Sequence, residues 1–441
     1  MSKYFILIIT FLGASYLILQ DGSKSESLLL DIIHLVIIMY ACTALFSYEE
    51  NSFSLHKSFA LFTLFFVGIA PVIQFKNGIG FWGLSPLSES ECLFSSSVYL
   101  LAIIVFELTY RFEYNSIRHQ FLMQGYNFWK NNRPLKLGLI RKLFVIFICV
   151  VSFLLIFWLN NFNMVSLLIR GGELKESVET SKMSGLIISK FIQPINIILF
   201  LFVKSFSKYH YLKIFLFFMA IISAPPTGLA RFAAASLYIP ILLSFKFARK
   251  RNVYVLFFIV GLLVLFPAMS ILRDYKGEFA INGFASDMFE SVDFDSYFIY
   301  GIILKNDIVT YGKQLLGVCL FWLPRDLWSE KPVGSGQMVG EDYGFTFTNL
   351  SCNFFGEGYV NWGFLGIILF AIVLGIVYAT IDKMYWYHCQ NKTTMYYSTI
   401  IYTMIVAESF LMLRGDLLSS TAYLCGYIAS YLFVRKIVFG L

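Results

Sequence analysis

Leu143-Phe144-Val145-Ile146-Phe147-Ile148-Cys149-Val150-Val151-Ser152-Phe153-Leu154-Leu155-Ile156-Phe157-Trp158-Leu159 runs without a charge, with Ser152 as its one hydroxyl, between Arg141-Lys142 and Asn160-Asn161. An α-helix rises 1.5 Å per residue, and the hydrocarbon layer of a bilayer is about 30 Å thick. A run this apolar, with its flanks, is long enough to cross it. Hydrocarbon cannot hydrogen-bond the backbone, so a segment that enters it must be helical.

The same pattern recurs along the chain. Comparable runs begin near Tyr4, Leu28, Phe59, Leu93, Gly185, Ile214, Phe232, Val253, Trp362, Tyr396 and Thr421, which predicts about twelve spans. The runs from Ile214 and Phe232 are short and divided only by Ala224-Pro225-Pro226-Thr227-Gly228-Leu229-Ala230-Arg231. They fit either a tight hairpin or a broken helix. Composition agrees with a polytopic all-α membrane protein: 58% of the residues are hydrophobic, 14% are charged and 48 are Phe. A soluble domain carries about 25% charged residues. The N-terminus reads as a first span rather than a removable signal, because Lys3 is its only early charge and no good small-x-small cleavage site follows.

The net charge is +7. Its basic residues lie in short connections between apolar runs, where they set orientation and do not mark a nucleic-acid surface. With the N-terminus inside, Arg111 to Lys142, Lys204 to Lys213, Lys246 to Arg251, Lys383 with Lys392, and Arg435 with Lys436 all fall on the cytoplasmic side. Both termini are then cytoplasmic. The chain reads as one integral membrane domain, 1–441, with one long outer segment, 273–360. That segment is longer than a connection requires. It is rich in Phe, Tyr, Trp and Leu, as in Tyr297-Phe298-Ile299-Tyr300-Gly301-Ile302-Ile303-Leu304, which suits short amphipathic helices on the membrane face or packed over the bundle.

Several chemistries are excluded. All five His fall in spans or inner connections on this map, and there is no Walker A pattern, HExxH or GxSxG. No cofactor and no metal site is expected. The seven Cys show no ligand spacing and read as small buried residues, although Cys319 and Cys352 can meet in the long loop.

The informative outer residues are cationic. Arg170, Arg231, Arg273, Lys276, Arg325 and Arg414 stand on the side that the orientation rule disfavours. A guanidinium at a span end is costly without an anionic partner, and its planar fork fits phosphate oxygens in bidentate fashion. The alternative for each is snorkelling, or pairing with a nearby carboxylate such as Asp274, Asp326 or Asp416. Lys190 and Glu408 lie within apolar runs, as a buried pair or as the lining of a cavity. Asp31 and His34, one turn apart, read as structural. A second signal is Asn353-Phe354-Phe355-Gly356-Glu357-Gly358-Tyr359-Val360-Asn361-Trp362-Gly363-Phe364-Leu365-Gly366. Glycines beside a carboxylate, an amide and aromatic rings let a chain close around a sugar. They are equally what an interfacial aromatic belt with glycine turns contains.

At these residues the chain resembles the O-antigen polymerases, the Wzy family of oligosaccharide repeat-unit polymerases. Gly356 to Gly366 is similar to the segment closing that family's large periplasmic loop. Trp322-Leu323-Pro324-Arg325-Asp326-Leu327-Trp328-Ser329-Glu330-Lys331-Pro332 resembles a Pro-Arg…Lys-Pro segment of the same loop. Gly228-Leu229-Ala230-Arg231-Phe232 and Leu413-Arg414-Gly415 resemble Arg-bearing positions in its spans. The layout of spans, inner termini and one dominant late loop agrees over essentially the whole chain. One family motif does not transfer: eleven residues separate Arg414 from Gly426, and Arg170 has no matching Gly.

The resemblance implies a GT-C-like fold in the bacterial inner membrane and a glycosyltransferase that polymerises undecaprenyl-pyrophosphate-linked oligosaccharide at the periplasmic face. It also implies a chain-length regulator as partner. Pyrophosphate is a good leaving group, so the expected task is to stabilise its charge. Arg231, Arg273, Arg325 and Arg414 are the expected clamp, with Lys276, Asn361 and Tyr359 as further substrate contacts. The attacking hydroxyl must lose a proton; Glu357 is the first candidate base and Asp274 the second. An O-antigen ligase would need a His in the long loop, and none occurs between Arg273 and Val360. A flippase would show two similar halves and no large ordered loop.

Overall fold

The computed structural model describes residues 8, 11–13, 15–16, 27–48, 51–116, 137–168, 188–206, 208–250, 252–265, 286–345, 350–390 and 396–440. Among them there is no strand, and seven helices are long and apolar enough to cross a membrane. The chain is a helical membrane protein.

The first helices are α1 (Leu28–Phe46), α2 (Leu55–Lys76), α3 (Glu89–Asn115), α4 (Leu139–Leu159) and the short α5 (Met164–Leu168). The π-turn Ile188–Ile192 runs into Gln193–Lys204, together α6. Then come α7 (His210–Ser223), α8 (Arg231–Leu243) and α9 (Val253–Val264). Three short helices, α10 (Ser296–Lys305), α11 (Lys313–Cys319) and α12 (Ser335–Asp342), precede α13 (Phe354–Gln390), α14 (Tyr396–Arg414) and α15 (Leu417–Phe433). Helix starts follow local chemistry. Ser27 and Ser54 accept from backbone N–H groups of their first turns, Ser88 and Glu91 form a capping box, and Asp416 caps α15 through the Ser419 N–H.

α2 is the centre of the bundle. Every residue from Leu55 to Lys76 is buried, so its polar side chains His56, Lys57, Gln74 and Lys76 take partners inside the bundle. α1, α9, α10, α13 and α14 pack around it. Its middle, Thr63–Ile69, widens into a π-helix just before Pro71. Proline lacks the N–H that would close the preceding turn, and a π-turn absorbs the misfit. The His34 ring on α1 hydrogen-bonds the Gly68 carbonyl in this stretch at 3.0 Å, and its other nitrogen meets the Ser96 hydroxyl on α3 at 2.9 Å. A Cβ on Gly68 would stand 2.7 Å from Ile38, so glycine sets how closely α1 and α2 approach. Asp31 pairs with Lys76 at 3.0 Å rather than with His34.

The chain turns back between α7 and α8, although the two pack mainly on different neighbours, α7 on α4 and α6 and α8 on α14. The Tyr238 hydroxyl donates to the Ala224 carbonyl at 2.7 Å. In a helix merely broken at the prolines these residues would lie about 20 Å apart at 1.5 Å per residue. The turn rests on α5, where a Cβ on Gly228 would be 2.1 Å from the Leu167 carbonyl oxygen.

The long span starts just after Trp362, as expected, but a short helical arm from Phe354 precedes it, and Trp362 and Gly363 form the kink that divides the two parts of α13. A Cβ on Gly366 would lie 1.9 Å from the Gly358 carbonyl oxygen. The Gly-rich segment thus serves a close chain crossing. Within the long segment, α10 is not amphipathic: Ser296 to Leu304 are all buried, because α10 packs against α2, α3, α12 and α13. Cys42, Cys92, Cys149 and Cys352 are buried as expected, whereas Cys319, Cys389 and Cys425 are exposed. Cys319 and Cys352 are both free thiols.

Candidate functional site

Arg231 is the first residue of α8 and Arg414 the last of α14. These helices pack along each other, and since one begins where the other ends, both cations stand at the same end of the bundle. The Arg414 guanidinium lies over the Phe232 ring, 4.5 Å from its centre, a favourable cation–π geometry.

Both arginines converge on a 3-10 turn, Val292–Phe294. Arg231 pairs through one terminal nitrogen with the Asp293 carboxylate. Arg414 donates from Nε to the Asp293 carbonyl at 2.8 Å and from a terminal nitrogen to Asp295 Oδ1 at 3.4 Å. The turn is held from the other side by Phe294, which is buried and lies 4.5 Å from the Phe66 ring, and by Gln74 Nε2, which donates to the Phe294 carbonyl at 3.1 Å. Alternation does the positioning: Phe294 points into the core, and the carboxylates on either side meet the cations. Asp295 is 2% exposed and Asp293 22%. Burial pushes the Asp295 carboxyl above the ordinary aspartate value, with the Arg414 charge opposing it.

Glu357 lies one corner away. Its carboxylate is buried and fully engaged: Oε1 accepts from the Leu417 N–H at 2.8 Å and Oε2 from the Ser335 hydroxyl at 2.7 Å. It therefore pins the start of α15 to the start of α12. Asp416 stands in the same corner, where a Cβ on Gly334 would come 2.7 Å from Asp416 Oδ1. The Arg414–Leu417 corner thus joins the Arg231–Arg414 group to Glu357.

Asn361 and Tyr359 point elsewhere. Asn361 accepts from the Leu315 N–H at 2.8 Å and donates to the Glu357 carbonyl at 2.9 Å; the Tyr359 hydroxyl donates to Asp307 Oδ1 at 2.6 Å. Both tie α13 to the 307–315 segment. Arg325 donates to the Lys331 carbonyl at 2.8 Å and, at 3.5 Å, to the Pro332 carbonyl, while Lys331 Nζ donates to the Phe321 and Leu323 carbonyls at 2.6 and 2.8 Å. Here the cations of the Pro324–Pro332 stretch close their own loop, and Arg325 does not join the arginine pair among the described contacts. Arg170, Arg273, Asp274 and Lys276 lie outside the described residues.

The structure adds partners that were not singled out in the sequence: Asp293, Asp295, Ser335 and Trp82, whose Nε1 donates to Asp295 Oδ2 at 3.3 Å. The available signal was Val292-Asp293-Phe294-Asp295, two carboxylates around one Phe just ahead of the apolar run Tyr297 to Leu304. A second buried polar centre sits toward the opposite end of α14. Asp382 accepts from the Leu55 and His56 N–H groups at 2.9 and 3.1 Å and from the Tyr110 and Tyr402 hydroxyls at 2.9 and 2.6 Å. All four donors come from the ends of helices it joins, which marks it as a structural hub. Among the described residues no group of His, Cys, Asp and Glu could hold a metal ion.

Comparison of the chain with known protein families, with curated proteins and with solved structures found no match.

Proposed function

We propose that the chain is a glycosyltransferase that polymerises undecaprenyl-pyrophosphate-linked oligosaccharide repeats at the periplasmic face of the bacterial inner membrane. Its architecture in this reading is about twelve spans of GT-C-like design, with cytoplasmic termini and a chain-length regulator as partner. The observation that supports it is the meeting of Arg231 and Arg414 at one end of α8 and α14, beside the Glu357 corner. These are the residues that carried the resemblance, and they come from distant parts of the chain.

The chemistry follows from their surroundings. Two guanidinium forks held by neighbouring helices stabilise the charge that develops on a departing pyrophosphate. Asp293 is the more exposed of the two carboxylates, so the phosphate oxygens displace Asp293 from Arg231, while Asp295 remains to orient Arg414. The Phe232 face beneath Arg414 limits hydration and strengthens the interaction.

The test is the lipopolysaccharide ladder of a strain deleted for this gene. A single repeat on the lipid core without longer bands is the expected result. Bare core with polymer retained on the carrier lipid would make the protein a ligase, and bare core with single lipid-linked repeats inside would make it a flippase. An unchanged ladder removes the reading altogether.

A further inference from the structure

Glu408 lies inside α14, about 9 Å below Arg414 at 1.5 Å per residue, and is 1% exposed. Neither carboxylate oxygen accepts a hydrogen bond among the described residues. Its surroundings explain why. The Ser236 hydroxyl on α8, which acts on Glu408, donates to the Ala233 carbonyl at 2.9 Å, and the Tyr427 hydroxyl on α15 meets Ser236 Oγ at 3.0 Å. With the Ser236 hydrogen on Ala233, Tyr427 gives its own to Ser236, and neither of these hydroxyls donates to Glu408.

One cation is in electrostatic reach. Lys190, on the π-turn of α6, feels the charges of Glu408 and Asp416, yet no ion pair joins it to either among the described residues. Its ammonium instead lies over the Tyr423 ring, 4.3 Å from the centre. A Cβ on Gly426 would come 2.3 Å from the Lys190 carbonyl oxygen, so α15 holds this turn tightly. The charged groups on the other elements against α14 have partners of their own. Arg231 pairs with Asp293, His56 with Glu107, Lys57 with the Asn51 carbonyl, Lys76 with Asp31, Lys204 with the Ser244 hydroxyl, Glu357 with Ser335 and the Leu417 N–H, and Asp382 with the Leu55 and His56 N–H groups.

We propose that Glu408 is an exchangeable proton-binding site within the bundle, with Lys190 as its alternate counter-ion. An ionised carboxylate without a donor or a cation is strongly disfavoured in such surroundings. The two favourable states are a neutral acid with Lys190 on Tyr423, and a carboxylate with the Lys190 ammonium swung onto it. The step between them moves one proton between the Glu408 carboxyl and water and breaks no other bond. It does not depend on the polymerase reading, and its test has a readout separate from polysaccharide.

The test is infrared difference spectroscopy of the full-length protein in liposomes, between acid and alkaline pH. The wild type is expected to show a protonated-carboxyl carbonyl band at acid pH that disappears at alkaline pH, and that Glu408→Gln lacks throughout. Lys190→Gln removes the cation that favours the carboxylate, so the band should persist upward by about one pH unit or more. A wild-type spectrum with no band removed by Glu408→Gln overturns the proposal, as does a Glu408 band that pH never changes. If Glu408→Gln does not fold, the wild type is treated with dicyclohexylcarbodiimide, which modifies protonated carboxyls. An adduct mapping to Glu408 at acid but not alkaline pH supports the proposal, and its absence at both overturns it.

Discussion

Arg231 and Arg414 hold the same residue, Asp293, one by its carboxylate and the other by its backbone carbonyl. This fixes the spacing of the two guanidinium groups through one shared residue. It also means that each cation is neutralised in the resting protein, as the cost of a bare charge at a helix end requires.

Arg231→Ala and Arg414→Ala are expected to leave the protein inserted and to abolish long polysaccharide. Arg231→Lys should restore less than half of the polymer, because an ammonium cannot make the bidentate contact. The readout is the ladder together with the amount of protein in the membrane fraction. Normal chain lengths in both Ala variants would remove the arginine pair from the mechanism.

Arg414→Ala and Asp295→Asn should differ in stability. Removing Arg414 leaves Asp295 buried beside Trp82 without its cation, a loss of about 3–5 kcal/mol. Asp295→Asn keeps an acceptor for Arg414 and should cost less. Thermal unfolding in detergent measures both, and equal midpoints would show that the contact carries no stability.

Glu357→Gln separates two roles. As a clamp, Glu357 serves the Leu417 N–H and the Ser335 hydroxyl. An amide retains one acceptor and sets an N–H₂ against the other donor, a loss of about 1–3 kcal/mol. Ser335→Ala tests the clamp alone. Activity that falls only in proportion to folded protein in Glu357→Gln assigns the residue to structure and excludes it as the base.

Gly366→Ala should be far more damaging than Gly363→Ala. The first drives a methyl onto the Gly358 carbonyl oxygen, whereas a Cβ on Gly363 meets nothing and suffers only from its positive φ of 58°. Such a backbone strain costs about 1–3 kcal/mol. Yield of folded protein after detergent extraction orders the two.

Asp382→Asn removes charge from a carboxylate that serves four donors. Each donor left unpaired costs about 1–3 kcal/mol, so this variant should lower the unfolding temperature more than Glu357→Gln does. A smaller shift would show that the hub tolerates an amide.

Helices were legible wherever one physical rule dominated. Apolar runs predicted α1, α2, α3, α4 and α15 within a few residues of where they occur, because a bilayer selects length and hydropathy and leaves little to tertiary context. The arm of α13 before its kink was not legible. Phe354 to Asn361 looks like loop, since glycines are poor helix formers, and only the packing of Gly358 on Gly366 makes that stretch a helical arm.

The sequence by itself determined that this is a helical membrane protein and that one long segment is too apolar to be a simple connection. Those properties follow from composition and local order. Tertiary structure alone decided that Arg231 and Arg414 share Asp293, that Arg325 turns back on its own loop, that Glu357 is engaged on both oxygens and that Glu408, among the described residues, is engaged on neither. Hydrogen-bond partners far apart in the chain are set by how helices cross, and no local pattern encodes that crossing.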